Sequence, residues 1–116
     1  PTQFEPEAMH ASIDRLLSVK PEAIYLTHYS RVGDVAKLGA DLHRRLDAMV
    51  ACALKVGGSG AERHEALKAA ITDYLLAELR VHGCLLPQEK ALEIWETDLE
   101  LNAQGLEVWL DSRPST

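Results

Sequence analysis

Residues 23–27, Ala-Ile-Tyr-Leu-Thr, read as one short buried β-strand in a chain whose other apolar periodicities are helical. A strand's backbone N–H and C=O groups need partners, and burying them unpaired is costly. A single strand among helices has no evident partner. Either a sheet supplied by upstream sequence completes it, or a second copy of the chain pairs with it.

The helices read clearly on either side. Pro6 fits the first turn of a helix over 5–20, where its missing N–H costs nothing, and Glu5 and Glu7 sit at the positive end of the helix dipole. Met9, Ile13, Leu16 and Leu17 give that helix one apolar face. Pro21 ends it, because the residue before a proline is pushed out of the α region. After a loop over 29–33, Asp34 is placed to cap a long helix. Its stripe is Val35, Leu38, Leu42, Leu46, Met49, Val50 and Ala53, reaching about residue 56.

Gly57-Gly58-Ser59-Gly60 breaks the chain, and Ser59 with Glu62 has capping-box spacing for a third helix. That helix carries Leu67, Ile71, Tyr74, Leu75 and Leu79. It closes at Gly83, a fit for the left-handed position after a helix end. Pro87 opens a last helical stretch with Leu92, Trp95, Leu99, Asn102, Ala103, Leu106, Trp109 and Leu110. Thr97 and Glu100 form a second capping-box pair there, which predicts a kink or break near Glu96. The tail over 112–116 is expected to fray.

Composition excludes several functions. The net charge of −6, with Arg44-Arg45 the only basic doublet and set beside Asp41 and Asp47, excludes a nucleic-acid partner, since phosphate binding needs clustered Lys and Arg. No apolar run approaches the ~18 residues needed to cross a bilayer, so no membrane role is expected. Cys52 and Cys84 lie in separate helices without CxxC spacing; they read as small apolar side chains in a reducing, cytoplasmic compartment. The chain opens Pro-Thr-Gln-Phe rather than with Met, as a processed product or a fragment would.

Five histidines raise the question of a metal. His10 and Asp14 stand four apart on the first helix, and His43 and Asp47 four apart on the second. Side chains at that spacing share a face and can share a metal, or they are solvated pairs; two ligands make no closed site. His64 and His82 read as surface or capping residues near helix ends. His28 differs, because it leaves the C-terminal end of the strand, where α/β folds gather their functional groups. Ser30 does not complete a triad with it. The Gly57–Gly60 run lacks the Lys-Ser/Thr pair and the preceding strand of a phosphate loop.

Phe4-Glu5-Pro6-Glu7-Ala8, Ser12-Ile13-Asp14-Arg15-Leu16-Leu17 and Pro21-Glu22-Ala23-Ile24-Tyr25-Leu26-Thr27-His28-Tyr29 together resemble the last helix–strand unit of metallo-β-lactamase-fold hydrolases, the superfamily of the glyoxalase II-like thioesterases. The stretch from Asp98 to Leu106 is similar to the C-terminal helix of some bacterial members. The chain departs from the pattern at Ser30, where the family commonly has Gly. The resemblance implies that His28 is a metal ligand in a longer parent, where zinc or another divalent metal would make a hydroxide that attacks an ester, thioester or related bond. It implies also that the family's other ligands lie upstream, so that no catalytic residue belongs to this chain and the fragment alone is inactive.

The expected fold is mainly α. A helix–strand unit over 1–33, the last αβ unit of an αββα metallo-β-lactamase fold, precedes a C-terminal helical subdomain of three to four helices over 34–111. The expected partners are a small-molecule substrate of the parent and a second copy of the chain, a homodimer paired through the strand or swapped. The alternative is a non-enzymatic helical interaction or dimerisation module, in which the amphipathic stripes pack without any chemistry. A small acyl or lipid-like ligand between the helices is a third reading.

Overall fold

The computed structural model describes residues 3–114. Its elements are α1 (Pro6–Ser18), β1 (Ile24–Tyr25), β2 (Arg31–Val32), α2 (Val35–Lys55), α3 (Gly60–His82) and α4 (Gln88–Ser112). The chain is mainly α, a helix–strand unit followed by a helical C-terminal part, as its periodicities predict. No helix among the described residues is long and apolar enough to cross a membrane. Two compact units divide the chain inside α2, one over 5–48 and the other from Met49 onward together with Phe4.

In the unit over 5–48, Pro6 occupies the first turn of α1 and the Glu5 carbonyl accepts the Met9 N–H at 2.9 Å. The helix stops at Ser18, two residues earlier than the sequence predicts. Lys20, barred from the α region by Pro21, turns to φ +48 and donates its N–H to the Leu17 carbonyl. The strand is not an orphan. Ile24 pairs with Val32 and Tyr25 with Arg31 in an antiparallel hairpin, so residues expected in a loop supply the partner. The Leu26 N–H to Ser30 carbonyl bond, 3.0 Å, and the Tyr29 N–H to Leu26 carbonyl bond, 3.3 Å, close its tip.

Nor is the strand buried or five residues long. Only Ile24 and Tyr25 have strand geometry, and Tyr25 is 77% exposed. A hairpin this short leaves its outer edge and outer face uncovered. Asp34 follows at φ +46 with its carbonyl accepting the Leu38 N–H, the first bond of α2. Contacts of α1 with α2 run in descending order, His10 with Asp47, Asp14 with His43 and Leu17 with Gly39. The two helices are therefore antiparallel. A methyl group on Gly39 would lie 2.7 Å from Leu17 Cδ1, so a larger residue there would have to push the Leu17 side chain aside.

The second unit builds a closed core. Leu67 and Ile71 of α3 and Leu106 of α4 are fully buried, with Ala53, Leu76, Ala91, Leu99 and Ala103 around them. Ser59 takes the extended backbone of an N-cap, although its side chain makes no capping bond, so the predicted capping box does not form. Gly83, at φ +80, ends α3: its N–H reaches the Arg80 carbonyl and the Cys84 N–H reaches the Leu79 carbonyl. That pair of bonds is a Schellman motif. No break occurs near Glu96. The helix α4 is continuous from Gln88 to Ser112, because Leu99, Ala103 and Leu106 carry one buried stripe through it. Phe4 packs edge-on against Trp109 at 5.9 Å, and the Arg113 guanidinium lies 5.1 Å above the Trp109 ring.

Candidate functional site

His28 stands at the exposed tip of the hairpin, between Thr27 and Tyr29. Among the described residues it makes no hydrogen bond or ion pair. One imidazole offers a metal one nitrogen, and no group of three potential ligands occurs among the described residues. Two-metal hydrolysis needs several ligands to fix the metals and activate water. His28 alone does not make up such a set.

Below the hairpin, α1 and α2 enclose an apolar groove of about 390 Å³. Ile13, Leu16 and Leu17 line one wall, Val35, Leu38 and Leu42 the other, and Ile24, Leu26 and Val32 its end. Several of these are open to solvent, Leu16 at 57%, Leu26 at 48% and Leu42 at 46%. The stripes expected to pack internally thus pack only in part. Asp41 and Arg45 mark the groove's polar rim, and the Lys37 ammonium beside Asp41 holds that carboxyl below its usual value.

The remaining histidines are arranged differently from their spacing. His10 and Asp14 do not act as a pair, nor do His43 and Asp47. Each histidine reaches the other helix instead: His10 Nε2 lies 2.9 Å from Asp47 and His43 Nε2 lies 2.8 Å from Asp14. The two rings meet at Nδ1, 2.5 Å apart. Four-residue spacing shows which side chains share a face and leaves open which helix that face meets. The available signal was the repetition itself, His-x-x-x-Asp on two helices joined by a short hairpin, a pattern that matches itself when the helices run antiparallel.

His64 is not a surface or capping residue. Its Nδ1 lies 2.7 Å from Glu107 and its Nε2 3.1 Å from Glu100, both on α4. Carboxylates only accept, so both ring nitrogens donate and the ring is an imidazolium. The two hydrogen bonds, that to Glu107 first, raise the His64 pKa. Glu100 also receives Gln104 and Lys68, and these bonds, with that from His64, lower its pKa to about 2. Arg63 bonds Asp111 at 2.8 Å beside this cluster. Glu100 and Glu107, seven residues apart on one helix face, were the sequence signal for it. His82 ends α3 and is exposed.

Cys52 and Cys84 are free thiols, each half-buried. Burial pushes the Cys52 thiol up, which makes it a poorer nucleophile. Compared with known proteins, the chain matches no family model, no curated protein and no solved structure.

Proposed function

We propose that this chain is the C-terminal portion of a metal-dependent hydrolase of the metallo-β-lactamase superfamily, acting on an ester, thioester or related bond. His28 would be a ligand of its zinc or other divalent metal, and the isolated piece would be inactive. The observation that carries this reading is the unfinished state of residues 5–48. A helix and a hairpin leave an apolar groove and an open strand edge beside a loop that presents an unengaged histidine. Contiguous exposed apolar surface of this kind marks a place where something else packs, and an upstream sheet adding to β1 would cover the edge and the groove together.

The test begins with the intact mass of the protein made by its own cell. A species well above 12.8 kDa that ends in this sequence supports the proposal. His28→Ala in that longer chain should then lower both its bound metal and its hydrolysis. Full metal content and undiminished activity in the variant would overturn the assignment. A native product of 12.8 kDa favours the second reading, a helical interaction module. In that reading a second copy covers β1 and the groove, and Leu26→Asp should shift light scattering from dimer to monomer.

A further inference from the structure

The contact between α1 and α2 constrains where the ring protons of His10 and His43 can sit. Asp14 and Asp47 are solvent-exposed carboxylates, which accept hydrogen bonds and donate none when ionised. The Nε2 atoms of His10 and His43, at 2.9 and 2.8 Å from them, must therefore each carry a hydrogen. The two Nδ1 atoms then face each other at 2.5 Å, with the ring planes 14° apart. The 4.8 Å between ring centres equals that gap plus the two ring radii. The rings thus meet edge to edge in nearly one plane, with both Nδ1 atoms on the line of centres.

A hydrogen bond across that gap needs one hydrogen. Three ring hydrogens on two imidazoles make one imidazolium and one neutral ring. Two hydrogens would leave lone pair against lone pair, and four would set N–H against N–H with two positive charges adjacent. A metal ion in the same place would need each nitrogen ~2.0–2.1 Å away, and two such bonds do not fit a 2.5 Å gap unless the metal sits well off the line or the rings part. A proton fits it as it stands.

We propose that His10 and His43 share a single proton and form a pH-gated clasp between α1 and α2, closed only while the pair carries one positive charge. Asp14 faces the pair from α1 and Asp47 from α2. One turn before His10 stands Glu7, and one turn before Asp47 stands Arg44. No hydrogen bond or ion pair reaches either ring from the hairpin among the described residues. Acidification adds a second proton and breaks the central bond; raising the pH removes the shared proton and breaks it from the other side. The same two helices wall the apolar groove, so the clasp ties the spacing of those walls to pH.

The experiment is ring-nitrogen NMR of the full chain, labelled with 15N at histidine, from about pH 4.5 to about pH 9. The expected result is two proton steps for the pair, separated by about one pH unit or more, a tenfold or greater difference in proton concentration. Between the steps both Nδ1 signals should sit midway between protonated and free values while both Nε2 atoms keep their hydrogens. His43→Gln should reduce His10 to one ordinary step. Two independent, superimposable steps in the unmodified chain would overturn the proposal, as would a His10 titration unchanged by His43→Gln. Displacement of both Nδ1 signals by equimolar zinc near pH 7.5 would overturn it in favour of a metal site. The unmodified chain decides the matter even if the variant fails to fold.

Discussion

Both units are built from antiparallel helices, yet only one of them is closed. Around α3 and α4, Leu67, Ile71 and Leu106 are fully buried, and Ala91, Ala103 and Gly105 sit buried along α4. In residues 5–48 the buried apolar side chains are Pro6, Val35 and Leu46, while Leu16, Leu38 and Leu42 are 57%, 42% and 46% exposed. Small residues spaced along α4 bring its leucines against those of α3. The contact between α1 and α2 has one such site, Gly39 of α2 against Leu17 of α1, and then a histidine clasp where apolar contact would otherwise continue. Amphipathic pairing alone therefore does not make a finished core. The unit that lacks one is the unit that carries His28, and this contrast is what the proposed function explains.

The contrast breaks or holds most visibly under truncation. Leu67→Ala or Leu106→Ala removes a fully buried side chain and should cost about 2–5 kcal/mol in urea unfolding. Leu16→Ala and Leu38→Ala remove side chains that are largely wet, and each should cost below about 1 kcal/mol. Equal losses in the two units would mean that the groove is covered in solution, and light scattering on the same samples would then show a second copy.

The helices and their ends were legible because their signals are local. Pro21, the Gly57–Gly60 break, Gly83 and Pro87 each act through backbone geometry that needs no distant partner. The partner of the strand was not legible. Arg31 and Val32 are too few to show alternation, and the pairing that defines β1 exists only once the tip over 26–30 closes. The predicted break near Glu96 failed for the converse reason. A local capping pattern at Thr97 and Glu100 lost to burial of Leu99 and Ala103, and Glu100 serves His64 instead. Of the candidate residues, His28 lies in the turn at the hairpin tip, beyond Tyr25, the last residue of β1. The histidine clusters depend on which helices meet, and spacing along one helix does not contain that.

Within the closed unit, the end of α3 gives a smaller test. Gly83 sits at φ +80 with open space where a side chain would go, so replacement meets no steric clash and isolates the backbone term. Gly83→Ala should destabilise by about 1 kcal/mol, the cost of placing an L-residue in the left-handed region. Gly33, with a negative φ and equally open surroundings, should tolerate alanine with a change within about 0.5 kcal/mol. A difference between the two variants smaller than the error of the urea midpoints would show that the Schellman turn adds nothing.

The smallest effect expected is the pH response of the His64 cluster, and the His64→Gln variant separates it from the clasp of α1 and α2. The His64 pKa is raised in the folded chain, chiefly by its bond to Glu107. Its contribution to stability is therefore full below the ordinary histidine value of about 6.5 and fades as pH rises through the raised one. The Glu100 pKa is lowered to about 2, so its contribution is full above the usual carboxylate value of about 4.3 and fades as pH falls toward 2. The two conditions overlap between roughly pH 4.5 and 6.5, where α3 and α4 are held best. His64→Gln should flatten the loss above that window in urea melts of the full chain and leave ring-nitrogen titration of His10 and His43 untouched. If His64→Gln instead left the alkaline loss as steep as before, the loss would belong to another group, and the His10–His43 pair would be the first to examine.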